Sequence, residues 1–153
     1  MTMTMVPRRW YSWDFTVMSG DRTVASLDFS SWRERAEIVI GDVTYHVFRE
    51  GVCSGDFKLE RAGNELARAS KPSAFRHTLI VHYNGRDYTL RKESLWRRTF
   101  VLMDGERAIG VISPESPWTR RSKTDLPAEW PAPVKAFVIW LVIMLWKRDA
   151  SRS

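Results

Sequence analysis

Ala136-Phe-Val-Ile-Trp-Leu-Val-Ile-Met-Leu-Trp146 is a run of eleven apolar residues without a break, preceded by Lys135 and followed at once by Lys147 and Arg148. Its placement decides the fold, because each such side chain gains ~1.5–3 kcal/mol on leaving water. A bilayer crossing needs ~20 apolar residues, so the run is too short by nearly half and no transmembrane span is expected. Upstream, Pro131 and Pro133 suit a helix start, where a residue without a backbone donor costs nothing. The helix is expected over about 132–148. Apolar side chains cover its whole circumference, and a helix of that kind belongs inside something.

The rest of the chain has to supply the container. Gly20-Asp21, Gly41-Asp42, Gly63-Asn64, Asn84-Gly85 and Asp104-Gly105 are pairs that tolerate positive φ and favour tight hairpins, and they recur about every 21 residues. Further breakers fall midway: Ser30-Ser31, Gly51 to Gly55, Pro72-Ser73, Glu93-Ser94 and Pro114 to Pro117. A turn every ten or eleven residues reads as an all-β sandwich or barrel. Between the turns the sequence alternates as a strand does: Tyr45 and Val47 against Thr44 and His46, Phe75, His77, Leu79, Val81 and Tyr83 against Arg76, Thr78, Ile80 and His82, Tyr88 and Leu90 against Asp87, Thr89 and Arg91.

A longer period lies over the short one. Trp32, Phe75 and Trp118 are spaced by 43 residues and 43 again, and the same offset carries Tyr45 onto Tyr88, Val47 onto Leu90, Phe57 onto Phe100 and Leu59 onto Leu102. One supersecondary unit is therefore used about two and a half times. About eleven strands precede Pro127. A helix with its side chains is ~10–12 Å wide, too wide for the filled interior of an eight-stranded barrel. A closed can of eleven or more strands does hold one central helix. The expected fold is a closed antiparallel β-barrel of about 11–12 strands built from the 43-residue repeat and enclosing the C-terminal helix, a single domain over 1–153 with the barrel at about 10–126.

Composition agrees with one ordinary domain of 153 residues. With 44% hydrophobic and 27% charged residues, intrinsic disorder is excluded. The single cysteine excludes a disulfide framework and a multi-cysteine zinc site. Against 24 basic residues stand 18 acidic ones, a net +6 that leans toward an anionic partner. Met1 to Pro7 has no basic start, apolar core or cleavage site of a signal peptide, so a cytoplasmic protein, peripheral to a membrane at most, is expected.

Tyr88-Thr-Leu-Arg-Lys92, Thr99-Phe-Val-Leu-Met-Asp-Gly105, Ile109-Gly-Val-Ile112, Arg120-Arg121 through Asp125-Leu-Pro127, Phe137-Val-Ile-Trp-Leu141 and Trp146-Lys-Arg-Asp149 follow one another along the chain. In the order of these pieces the chain resembles the tubby C-terminal-like superfamily, which includes the LURP-one-related proteins and the phospholipid scramblases, and looks like a small bacterial-type member. The resemblance implies a closed barrel threaded by its C-terminal helix. Tubby-type domains bind phosphoinositides and scramblases act at membranes, but no motif here fixes the tubby lipid site. An acidic calcium loop and a cysteine cluster for palmitoylation are both missing from the sequence, which speaks against scramblase-like activity.

Chemistry is sparse. Gly51-Val-Cys53-Ser-Gly55 matches a nucleophile elbow with cysteine for serine, but the elbow needs a helix to follow, and Asp56 to Glu60 alternates like a strand. A cysteine-dependent hydrolase or transferase using Cys53 is the alternative function. His77 and His82 are five apart on one strand and face opposite sides, while His46 could approach His82; no metal and no cofactor are expected. Aromatics fall mostly on inward positions, which disfavours nucleic acid as a partner. What remains is Arg97, Arg98, Arg120, Arg121 and Lys123, near turns or the linker to the helix, where they could bind phosphate of an anionic lipid. The expectation is a non-enzymatic binding or scaffold module for anionic phospholipid or a protein at the cytoplasmic membrane face.

Overall fold

The computed structural model describes residues 2–7, 15–19, 21–29, 34–51, 55–72, 78–94, 96–115 and 121–152. Twelve strands among them close into one antiparallel barrel: β1 (Thr2–Pro7), β2 (Phe15–Ser19), β3 (Arg22–Phe29), β4 (Arg35–Ile40), β5 (Val43–Arg49), β6 (Phe57–Arg61), β7 (Asn64–Ser70), β8 (Thr78–Tyr83), β9 (Arg86–Lys92), β10 (Phe100–Asp104), β11 (Arg107–Pro114) and β12 (Ser122–Asp125). Each strand pairs with its neighbour in sequence, and β1 pairs with β12 to close the ring. The expected start near residue 10 is therefore corrected to Thr2. Met3 and Met5 point inward from β1, and without that strand β2 and β12 would be open edges with unpaired backbone.

The helix α1 (Ala132–Arg152) runs through this barrel and extends four residues beyond the expected end. Every residue from Ala136 to Trp146 is at most 4% exposed. A helix lying on an outer wall would leave a stripe in water; this one has none, so the barrel encloses it. Alanines make room on the inner face, at Ala25, Ala36, Ala67 and Ala69, while Phe15, Phe57 and Phe100 open β2, β6 and β10 with buried rings. Phe57 meets Trp140 of the helix edge-on at 5.7 Å. At the helix start the Pro131 carbonyl accepts from the Val134 and Lys135 amides, and buried Trp130 packs edge-on against Tyr83 at 5.3 Å and Tyr88 at 4.9 Å.

The repeat is visible in the strand bounds. β4, β5 and β6 recur at an offset of 43 as β8, β9 and β10, and β7 recurs as β11 to within one residue. The bulge between Leu59 and Glu60 recurs between Leu102 and Met103. Tyr45 and Tyr88, Val47 and Leu90, Phe57 and Phe100, and Leu59 and Leu102 are all buried. Trp32, Phe75 and Trp118, which share the same period, lie outside the described residues. Two turns sit one residue from their expected places, at Ala62-Gly63 and Gly105-Glu106. Ala62 takes φ 50° and Gly63 φ 81°, so the hairpin accepts a left-handed alanine to bring both central residues to positive φ.

Candidate functional site

The two ends of the barrel differ. Tight turns at 41–42, 62–63, 84–85 and 105–106 gather at one end, where α1 also enters. The other end carries the longer connections and receives the helix C-terminus. Three of these connections are closed at the base in the same way. The Glu50 amide donates to the Asp56 carbonyl at 2.8 Å, Glu93 to Thr99 at 2.8 Å, and Glu115 to Arg121 at 2.9 Å.

Three of the expected cationic residues, Arg97, Arg98 and Arg121, lie at that loop end. Arg97 and Arg98 lie in the connection from β9 to β10, and Arg121 ends the connection from β11 to β12. Since β9 to β12 are consecutive around the ring, these two connections are neighbours on the rim. Lys123 is the second residue of β12 and is exposed, between inward Ser122 and Thr124, so it belongs to the outer wall just below the rim. Arg120 lies outside the described residues. The Arg97 side chain is 73% exposed and lies 3.9 Å from the Glu93 carboxylate. Arg98 is engaged with the core: its guanidinium carbon stands 4.9 Å over the Trp146 ring, and its carbonyl accepts from Trp146 Nε1 at 2.8 Å.

Electrostatics differ around the rim. On the β5 to β7 side, Arg68 binds Glu65 at 2.9 Å, Asp56 at 3.0 Å and Glu50 at 3.2 Å, and Lys58 binds Glu50 at 2.7 Å. Lys58, donating to the Glu50 carboxylate, holds that carboxyl below its ordinary range, with Arg68 adding to the effect. Glu65 and Asp56 in turn push the Arg68 guanidinium upward. These cations are matched by carboxylates. The helix end is matched too: Arg148 donates to Glu34 at 2.6 Å and Lys92 meets Asp149 at 3.4 Å. On the β9 to β12 side, Arg97, Arg98 and Arg121 follow one another in the chain order of the rim.

The sequence did not single out Trp96. It sits in the same connection as Arg97 and Arg98 and is 94% exposed. Strand alternation has nothing to say about a residue in a connection, so no periodicity marks it.

Other chemistry assembles less well. His46 and His82 do not approach one another, because β6 and β7 separate their strands. Cys53 and His77 lie outside the described residues, and among those described no three His, Cys, Asp or Glu side chains gather as metal ligands would. His82 forms a chain that spacing alone did not reveal: Ser70 Oγ lies 2.8 Å from its Nε2, and Asp87 Oδ1 2.5 Å from its Nδ1. The order matches a hydrolytic triad. Asp87 is 69% exposed, however, so water screens its hold on the imidazole. The adjoining groove, about 340 Å³, is lined by His82 and Asp87 but not by Ser70. The chain of contacts ties β7, β8 and β9 together across their outer face.

No helix among the described residues is long and apolar enough to cross a membrane. Family models, curated proteins and solved structures contain no match to this chain.

Proposed function

We propose that the chain is a non-enzymatic binding module that docks the loop end of its barrel on anionic phospholipid at the cytoplasmic face of a membrane, and that it is a tubby C-terminal-like domain. One observation carries the functional reading: neighbouring rim connections at the loop end hold Arg97, Arg98 and Arg121, three arginines gathered on adjoining loops of one end of the barrel. Arginine suits phosphate because its planar fork presents parallel donors. Each such residue near a charged surface contributes ~1 kcal/mol, enough for peripheral and reversible attachment. Support for the family reading is the architecture, a closed barrel around an apolar C-terminal helix, which is what the resemblance implies.

Co-sedimentation with vesicles of different headgroups tests the function. Binding should appear on phosphatidylserine or phosphoinositide vesicles, be lost on phosphatidylcholine alone, and fade with salt as the Debye length falls from ~10 Å at 0.1 M to ~3 Å at 1 M. Equal binding to neutral and anionic vesicles, or none to either, would refute it and leave a protein partner as the surviving use of this rim.

A further inference from the structure

The braced loop between β9 and β10 presents a single large aromatic side chain to water. Trp96 is 94% exposed, whereas Trp130, Trp140 and Trp146 are all 6% exposed or less. The other large apolar side chains on the described surface, Leu66 and Val111, are each only 37% exposed and lie on strands. The described residues on either side of Trp96 are held by hydrogen bonds. The base of the loop is closed by the bond from the Glu93 amide to Thr99, the Arg97 amide donates to Ser94 Oγ at 3.2 Å, and the Arg98 carbonyl is held by Trp146 of the enclosed helix. The indole is thus projected from a fixed platform, with arginine at the next two positions.

From this we infer that Trp96 is an interfacial anchor, which enters the headgroup and acyl boundary of an anionic bilayer while Arg97 and Arg98 engage phosphate above it. The inference rests on the phospholipid reading and adds to it an apolar component and a point of insertion. An indole has an apolar body and one N–H donor, which is why tryptophan concentrates at membrane interfaces, where one side is apolar and the other wet. Cations close to the apolar group hold the same interface from its charged side, the usual composition of a peripheral membrane anchor. A single inserted ring is a weak anchor alone, so the two contributions need each other.

The test uses the full chain and phosphatidylcholine vesicles carrying phosphatidylserine, with bromine on the acyl chains. Bromine quenches only an indole that reaches the acyl boundary, and the difference between wild type and Trp96→Phe isolates this one tryptophan among the eight. Quenching should accompany wild-type binding and be lost in Trp96→Phe, which keeps an apolar ring and so still binds. Trp96→Ala should weaken partitioning about tenfold, by a factor that changes little with salt, as expected for loss of an apolar contact. Equal quenching in wild type and Trp96→Phe with binding intact would overturn the anchor and leave the phospholipid reading standing. Absence of binding in every form would overturn both.

Discussion

Trp146 Nε1 donates to the Arg98 carbonyl at 2.8 Å while the Arg98 guanidinium lies 4.9 Å over the same indole ring. The last buried turn of the enclosed helix is thereby tied to the loop that carries the candidate cations. Trp146→Phe keeps a ring but removes the donor, and should lower stability by about 1 kcal/mol. Trp146→Ala should cost about 3–5 kcal/mol. Urea denaturation measures both. Arg98→Ala should lower stability as well as binding, so Arg97 is the cleaner reporter of binding alone.

A chain ending before Pro131 loses the helix that fills the barrel. The inner faces of twelve strands, with Phe15, Phe57, Leu59, Leu79, Leu90, Phe100 and Leu102 among them, would then line a void. Each large side chain left without partners costs several kcal/mol, against a total stability of ~5–15 kcal/mol. The truncated chain should show no cooperative thermal transition by circular dichroism, while the full chain should show one.

Much of this fold can be read from the residues. An apolar run too short for a bilayer and too complete for a surface forces an enclosed helix, and a turn at every tenth or eleventh residue supplies its wall. β1 escaped because Met-Thr-Met-Thr-Met is a weak strand signal, made a strand by the gap it fills between β12 and β2. The turn at Ala62-Gly63 escaped because alanine seldom takes φ 50°. At the candidate site the sequence points to arginines near turns, but which connections adjoin is set by the order of strands around the ring. Ser70, His82 and Asp87 lie on three neighbouring strands, and only the register of those strands joins them.

Gly110 shares a face with Ile112 on β11, beside the end of β12. A Cβ there would stand 2.9 Å from the Asp125 carbonyl oxygen and 3.0 Å from Leu126 Cδ2. The carbonyl belongs to the β12 backbone, so the ladder itself would have to shift. Gly110→Ala should destabilise by about 1–3 kcal/mol, seen as a lower urea midpoint with an unchanged slope.

The Lys58 and Arg68 contacts that hold Glu50 below its ordinary value of 4.5 make stability depend on pH. A depressed carboxyl contributes stability that is full above its unfolded value and lost as pH falls through the folded one. Wild type and Glu50→Gln should therefore differ in thermal midpoint at neutral pH, with wild type higher, and converge as the solution is acidified below 4.5. A difference that persisted unchanged into acid would show that the charge on Glu50 is not what matters.

Docking by the loop end is tested most directly by amide hydrogen exchange of the full chain, free and bound to anionic vesicles. Segments 93–99 and 115–121 should gain protection on binding, and the turns at 41–42, 62–63, 84–85 and 105–106, which lie at the opposite end, should not. Protection confined to those turns, or exchange identical with and without vesicles, would contradict it.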